Sequence, residues 1–172
     1  MEATRAVALE PTEAMMHIEV AGLLTALGRY AEAKTQLNEA SRLEPENPFP
    51  HVDLAELAAA QNDLKTMAEE LGKLEDLRDV SRTMLAWATK RGPRQDVVRA
   101  IAAIRSRNPA LDESRKAWLY ANVGETGRAL DALEKAVASS RSGASVVQFP
   151  SVRKALGSES RYLALVTKTG PR

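Results

Sequence analysis

Two histidines and a few paired carboxylates are what this 172-residue chain offers to metal or acid–base chemistry, and it has no cysteine. His17 and His51 stand at equivalent places in two copies of a repeated pattern. Their residue type invites a shared metal ion. Equivalent helices of adjacent hairpins lie about 8–10 Å apart, and two imidazoles held at that spacing do not share an ion without distortion. Packing is the better reading for both. Disulfides and cysteine-based metal sites are excluded outright. Glu69-Glu70 and Glu75-Asp76 fall near Lys65 and Lys73, the composition of a solvated helix face and not of an acid–base pair. Serines are plentiful, but there is no Gly-x-Ser-x-Gly elbow, no phosphate loop and no His-Glu-x-x-His helix. No catalytic residue, metal or cofactor is therefore expected. The chain reads as a surface for other molecules and not as an enzyme.

The elements that carry these residues follow one grammar, four times over. The first copy reads His17-x2-Val20-Ala21-x2-Leu24, Gly28-Arg29-Tyr30, Ala33-x3-Leu37-x2-Ala40, Pro45. The second reads His51-x2-Leu54-Ala55-x2-Ala58, Asn62-Asp63, Met67-x3-Leu71-x2-Leu74. Met84-Leu85-x2-Ala88, Gly92, Val97-x3-Ile101-x2-Ile104 and Ala117-x2-Tyr120, Gly124, Ala129-x3-Leu133-x2-Ala136 complete the set. Each copy is a helical hairpin, and a period of this length predicts a solenoid of stacked hairpins. The expected bounds are a half-repeat over 1–11, hairpins over about 12–47, 48–79, 80–109 and 110–143, and a helical tail over 144–172. Thr12 is placed as a helix cap, and Gly28, Asn62, Gly92 and Gly124 as the turns. The shortened spacing between the second and third turns predicts a tighter link there. Ala68 is read as an outer-face position.

Composition agrees with helices packed through small side chains. Aromatic residues make up 4% of the chain, and alanine and leucine supply much of the apolar content. The N-terminus lacks the basic-then-apolar profile of a signal peptide, and no apolar run approaches the length of a membrane span. A cytoplasmic protein with no membrane partner is expected. The net charge of +1 hides a polarity. Residues 1–80 carry 16 acidic and 7 basic side chains, a balance of −9, whereas residues 81–172 carry 7 acidic and 17 basic, a balance of +10. The Arg-rich second half, with Arg91, Arg94, Arg99, Arg105 and Arg107, lacks interleaved aromatics for stacking bases, which counts against nucleic acid.

The repeats resemble the tetratricopeptide repeat family. Ala21, Ala55 and Ala117 match the small residues at which the two helices of a hairpin cross, and Leu37, Leu71, Ile101 and Leu133 match the large residues between hairpins. The tail, Phe149-Pro150-x-Val152-Arg153 followed by Ser160-Arg161-Tyr162-x2-Leu165-Val166, is similar to the ending of bacterial multidomain tetratricopeptide regulatory proteins. The resemblance implies an all-α, right-handed α-α superhelix with C-terminal capping helices, whose first helices line a concave groove. It also implies a protein–protein interaction scaffold, part of a larger regulatory protein, that binds a peptide or partner domain there.

On that register the groove is lined by Met15, Ile18, Gly22, Val52, Glu56, Arg82, Thr89, Trp118 and Asn122. Ile18 and Gly22 stand where some family members hold Lys and Asn for a C-terminal carboxylate, so that clamp is not expected. Between Ala14 and Leu27 the only charge is Glu19, so this helix should be covered on more than one side. Trp118 is either a partner anchor or a residue buried beneath the tail. The tail itself is expected to fold back on the fourth hairpin through Val152, Leu156, Tyr162, Leu163, Leu165 and Val166. The alternative reading is a homo-oligomer in which the acidic end of one chain docks on the basic end of another; such contacts weaken steeply with salt.

Overall fold

The computed structural model describes residues 13–106, 108–139 and 143–169. The proposed half-repeat over 1–11 and the Thr12 cap lie outside them. Ten α-helices follow one another, and there is no strand among the described residues. α1 (Glu13–Ala26) packs on α2 (Tyr30–Leu43), α3 (Phe49–Ala60) on α4 (Leu64–Leu71), α5 (Arg78–Ala88) on α6 (Arg94–Ala102), and α7 (Pro109–Asn122) on α8 (Thr126–Ser139). These are the four hairpins that the repeated pattern predicts. A 3-10 segment (Gly143–Gln148), α9 (Pro150–Leu156) and α10 (Ser160–Thr169) form the tail.

Turn chemistry sets the hairpin boundaries. Gly28 and Gly124 adopt φ of +73° and +76°, and Asn62 takes the same left-handed region at 61°, where the absence of a Cβ, or a short polar side chain, lowers the cost. Asp63 then caps α4, its carboxylate accepting from the Thr66 amide at 3.0 Å. The third turn differs from expectation. Lys90, not Gly92, holds the left-handed position, with φ of 58°. Gly92 serves a close approach instead, since a Cβ there would meet the Ala86 Cβ at 3.1 Å. The link from the second hairpin to the third is tight, as the spacing predicts. α4 has only 8 residues, and a 3-10 turn (Glu75–Leu77) runs straight into α5.

Most of the core is one continuous cluster running from Ala55 to Leu165, with Met67, Leu71, Met84, Ile101, Leu119 and Leu133 fully buried. A smaller cluster of Ala21, Ala33, Leu37, Leu54 and Leu57 joins the first hairpin to α3. The crossing alanines Ala21, Ala55 and Ala117 are all buried. Ala68 is buried too, against expectation: α5 packs over it, and the Ser81 hydroxyl donates to its carbonyl at 2.7 Å. The outer side of α1 remains open, with Leu23 67% and Leu27 71% exposed beside Met16 and Val20.

The tail folds back. The 3-10 segment lies on α7 and α8, and α10 lies on α8. Arg161 ties it down through ion pairs to Asp131 at 2.7 Å and Glu134 at 2.9 Å. Val152, Leu156, Tyr162 and Leu165 are buried as expected, and Val166 packs partly against the core. Leu163 does not contribute, because it faces solvent on α10. The tail also reaches further than a cap on the fourth hairpin requires: α9 touches α3 of the second hairpin as well as α7.

Candidate groove and its internal occupant

α3 explains why that reach occurs. Its second half, Leu54 to Ala60, is apolar except for Glu56, and every one of these residues is buried. A carboxylate 5% exposed is costly unless donors surround it. Three do. Trp118 Nε1 donates to Glu56 Oε2 at 2.7 Å, and the Ser151 hydroxyl donates to the same oxygen at 2.5 Å. The Ser151 amide donates to Oε1 at 2.8 Å. Asn122 Nδ2 closes the ring, donating to Ser151 Oγ at 3.1 Å and to the Trp118 carbonyl at 2.9 Å. Burial pushes the Glu56 carboxyl above its ordinary pKa, while the bonds from Ser151 and Trp118 pull it back.

α9 is shaped to enter this site. Phe149 precedes it in extended geometry and Pro150 opens it; a proline there forfeits no helical hydrogen bond. The Phe149 ring meets Trp118 edge-on, with centroids 5.9 Å apart. One turn on, Lys154 Nζ donates to the Ala60 carbonyl at 3.2 Å, one of the last-turn carbonyls that α3 leaves free.

Two clefts flank Phe149. One, of about 220 Å³, is mostly apolar and is walled by Phe49, Val52, Leu77, Leu111, Trp118 and Val146, with Arg115 at its edge. Arg115 is held there by an ion pair to Asp76. The other, of about 290 Å³, lies between α1, α3 and the start of α9 and is lined by Gly22, Thr25, Leu37, Asp53, Glu56 and Pro150. Gly22 leaves it open, since an added Cβ would meet nothing within 4 Å. Asp53 is half-buried, and burial lifts its carboxyl to about 6.

The structure thus brings Gly22, Val52, Glu56, Trp118 and Asn122 to one neighbourhood. Ile18 packs against the smaller core cluster, and Met15 is half-buried beside it on α1. Arg82 and Thr89 stand apart on the third hairpin. Arg82 pairs with Asp79 at 3.0 Å, and the Thr89 hydroxyl donates to the Leu85 carbonyl at 2.7 Å. Trp118 is 2% exposed and lies beneath the tail. Asp53, Phe149, Ser151 and Lys154 lie in the same neighbourhood although the repeat register does not mark them. The available signal was Glu56 itself, a lone charge in an apolar run.

The histidines bridge within hairpins. His17 Nδ1 lies 2.6 Å from Gln36 Oε1, and His51 Nδ1 donates to Glu70 Oε2 at 3.0 Å. Each reaches 19 residues forward, onto the second helix of its own hairpin. Among the described residues no three His, Asp or Glu side chains converge as a metal site, and no helix is long and apolar enough to cross a membrane. No protein-family model matches the chain, and no curated protein or solved structure matches it.

Proposed function

We propose that this chain is a protein–protein interaction scaffold, a tetratricopeptide-like superhelix whose concave groove binds a peptide or partner domain within a larger bacterial regulatory protein. One observation carries the reading: a helical segment, the chain's own α9, is already seated across the first helices of the second and fourth hairpins. A surface that holds one short helix through a buried carboxylate, an indole and an amide is suited to hold another. The clefts beside Phe149 leave room for anchors on the partner.

The test is capture of binding partners from cell extract by the wild-type chain and by Gly22→Lys, where an added side chain enters open cleft, and Val52→Lys. Both variants should retain their helicity and lose the partner. Full capture by both folded variants would move the site off this face. A second reading, self-association, is favoured by the open Met16–Val20–Leu23–Leu27 stripe of α1. It requires a concentration-dependent mass in sedimentation, and a stable monomer would remove it.

A further inference from the structure

The groove is not empty: its most buried polar group is engaged by the chain's own tail. We infer that α9 is an internal competitor, and that the groove's partner is a segment of another protein with the same signature. That signature is an aromatic residue, then proline and a serine or threonine opening a helix, then a basic residue three positions on. The inference rests on the groove reading above and specifies its ligand.

Each position of the signature has a counterpart in the receptor. Glu56 offers two carboxylate oxygens and is almost closed off from solvent. It therefore selects a segment that presents both an amide and a hydroxyl at one residue, as Ser151 does. Asn122 orients that hydroxyl by donating to its oxygen, which leaves the hydroxyl proton for Glu56. Proline immediately before the serine directs the segment into a helix at the required place. The Ala60 carbonyl takes an ammonium one turn later. Trp118 supplies a ring face for the aromatic.

The seat is well bonded but incompletely filled. Phe149 borders both clefts, of about 220 and 290 Å³, and fills neither. A partner with a larger aromatic at that place would cover more of the apolar wall that Phe149 leaves open, and so gains more apolar burial than the tail. That difference is what lets a partner displace a tethered occupant, whose attachment gives it a high effective concentration.

The experiment measures binding of a fluorescein-labelled peptide spanning residues 146–158 to the full chain. Wild type should bind it weakly. Ser151→Asp, whose carboxylate is repelled by Glu56 while Glu56, Trp118 and Asn122 stay intact, should bind at least 10-fold more tightly. The gentler double variant Ser151→Ala, Lys154→Ala should show a smaller gain and serves if Ser151→Asp does not fold by circular dichroism. A peptide with Phe149→Trp should bind more tightly than the parent, and one with Ser151→Ala at least 10-fold more weakly.

Folded, unlatched variants that bind no peptide would overturn the inference, as would equal binding of the Ser151→Ala and parent peptides. Wild-type chains that pair by exchanging tails, seen as dimers that peptide does not dissolve, would overturn it in favour of a second copy. Loss of capture by Gly22→Lys and Val52→Lys is read in chains whose tail is unaltered, so the scaffold reading survives if only the peptide result fails.

Discussion

At the scale of single residues, two carboxylates one turn apart on α3 meet burial in different ways. Glu56 is compensated by three donors. Asp53 accepts no hydrogen bond from any described residue, and burial raises its pKa from 3.8 to about 6. A carboxyl whose folded pKa is raised contributes full stability below its ordinary pKa and loses it as pH climbs through the folded value. Asp53 therefore weakens the fold between about pH 4 and pH 6, and the loss is complete above that window. Asp53→Asn should raise the melting temperature at pH 7.5, with a gain that shrinks toward zero near pH 4. Paired thermal melts across that range check it; a gain independent of pH would mean that desolvation is not the cause. Glu56 stands out in the sequence as a lone charge in an apolar run, but its partner does not. Ser151 lies 95 residues away, and periodicity on a helix says nothing about which distant hydroxyl will cover a charge.

At the scale of elements, small residues set how closely the helices approach. Ala21 and Ala55 are buried at the two crossings where the first helices meet their neighbours, whereas Ala31 on α2 is exposed. Enlarging the first two should force side chains off their rotamers and destabilise by ~1–3 kcal/mol, while the same change at Ala31 should cost little. Denaturant unfolding of Ala21→Leu, Ala55→Leu and Ala31→Leu decides the matter, and equal stabilities would remove the proposed register. The hairpins, their order and three of their four turns follow from the spacing of alanine, leucine, glycine and asparagine. The misplaced features have identifiable causes. At the third turn Lys90 takes the left-handed geometry, and Gly92, two residues on, stands where Ala86 approaches the backbone. Ala68 looked peripheral because it stands off the Met67–Leu71–Leu74 stripe, but α5 packs across that side of α4 too.

At the scale of the whole molecule, residues 143–169 fold back over the helices that precede them. The tail covers the fourth hairpin and also connects it to the second through Ser151 and Glu56. Apolar composition predicted the cover. The bridge to α3 depends on how the hairpins curve, and no local pattern encodes that. If the groove is a binding surface held by its own tail, the tail must be ordered yet able to leave before the body unfolds. Residue-resolved amide hydrogen exchange on the full chain measures this directly. The account predicts that the amides of α9, Ser151 among them, are protected but exchange through an opening at least 10-fold more frequent than that of the amides in α3 and α7. Unprotected α9 amides would mean that the tail is not seated. Amides of α9 that exchange in step with α3 and α7 would make the tail a permanent part of the core and contradict a groove open to partners.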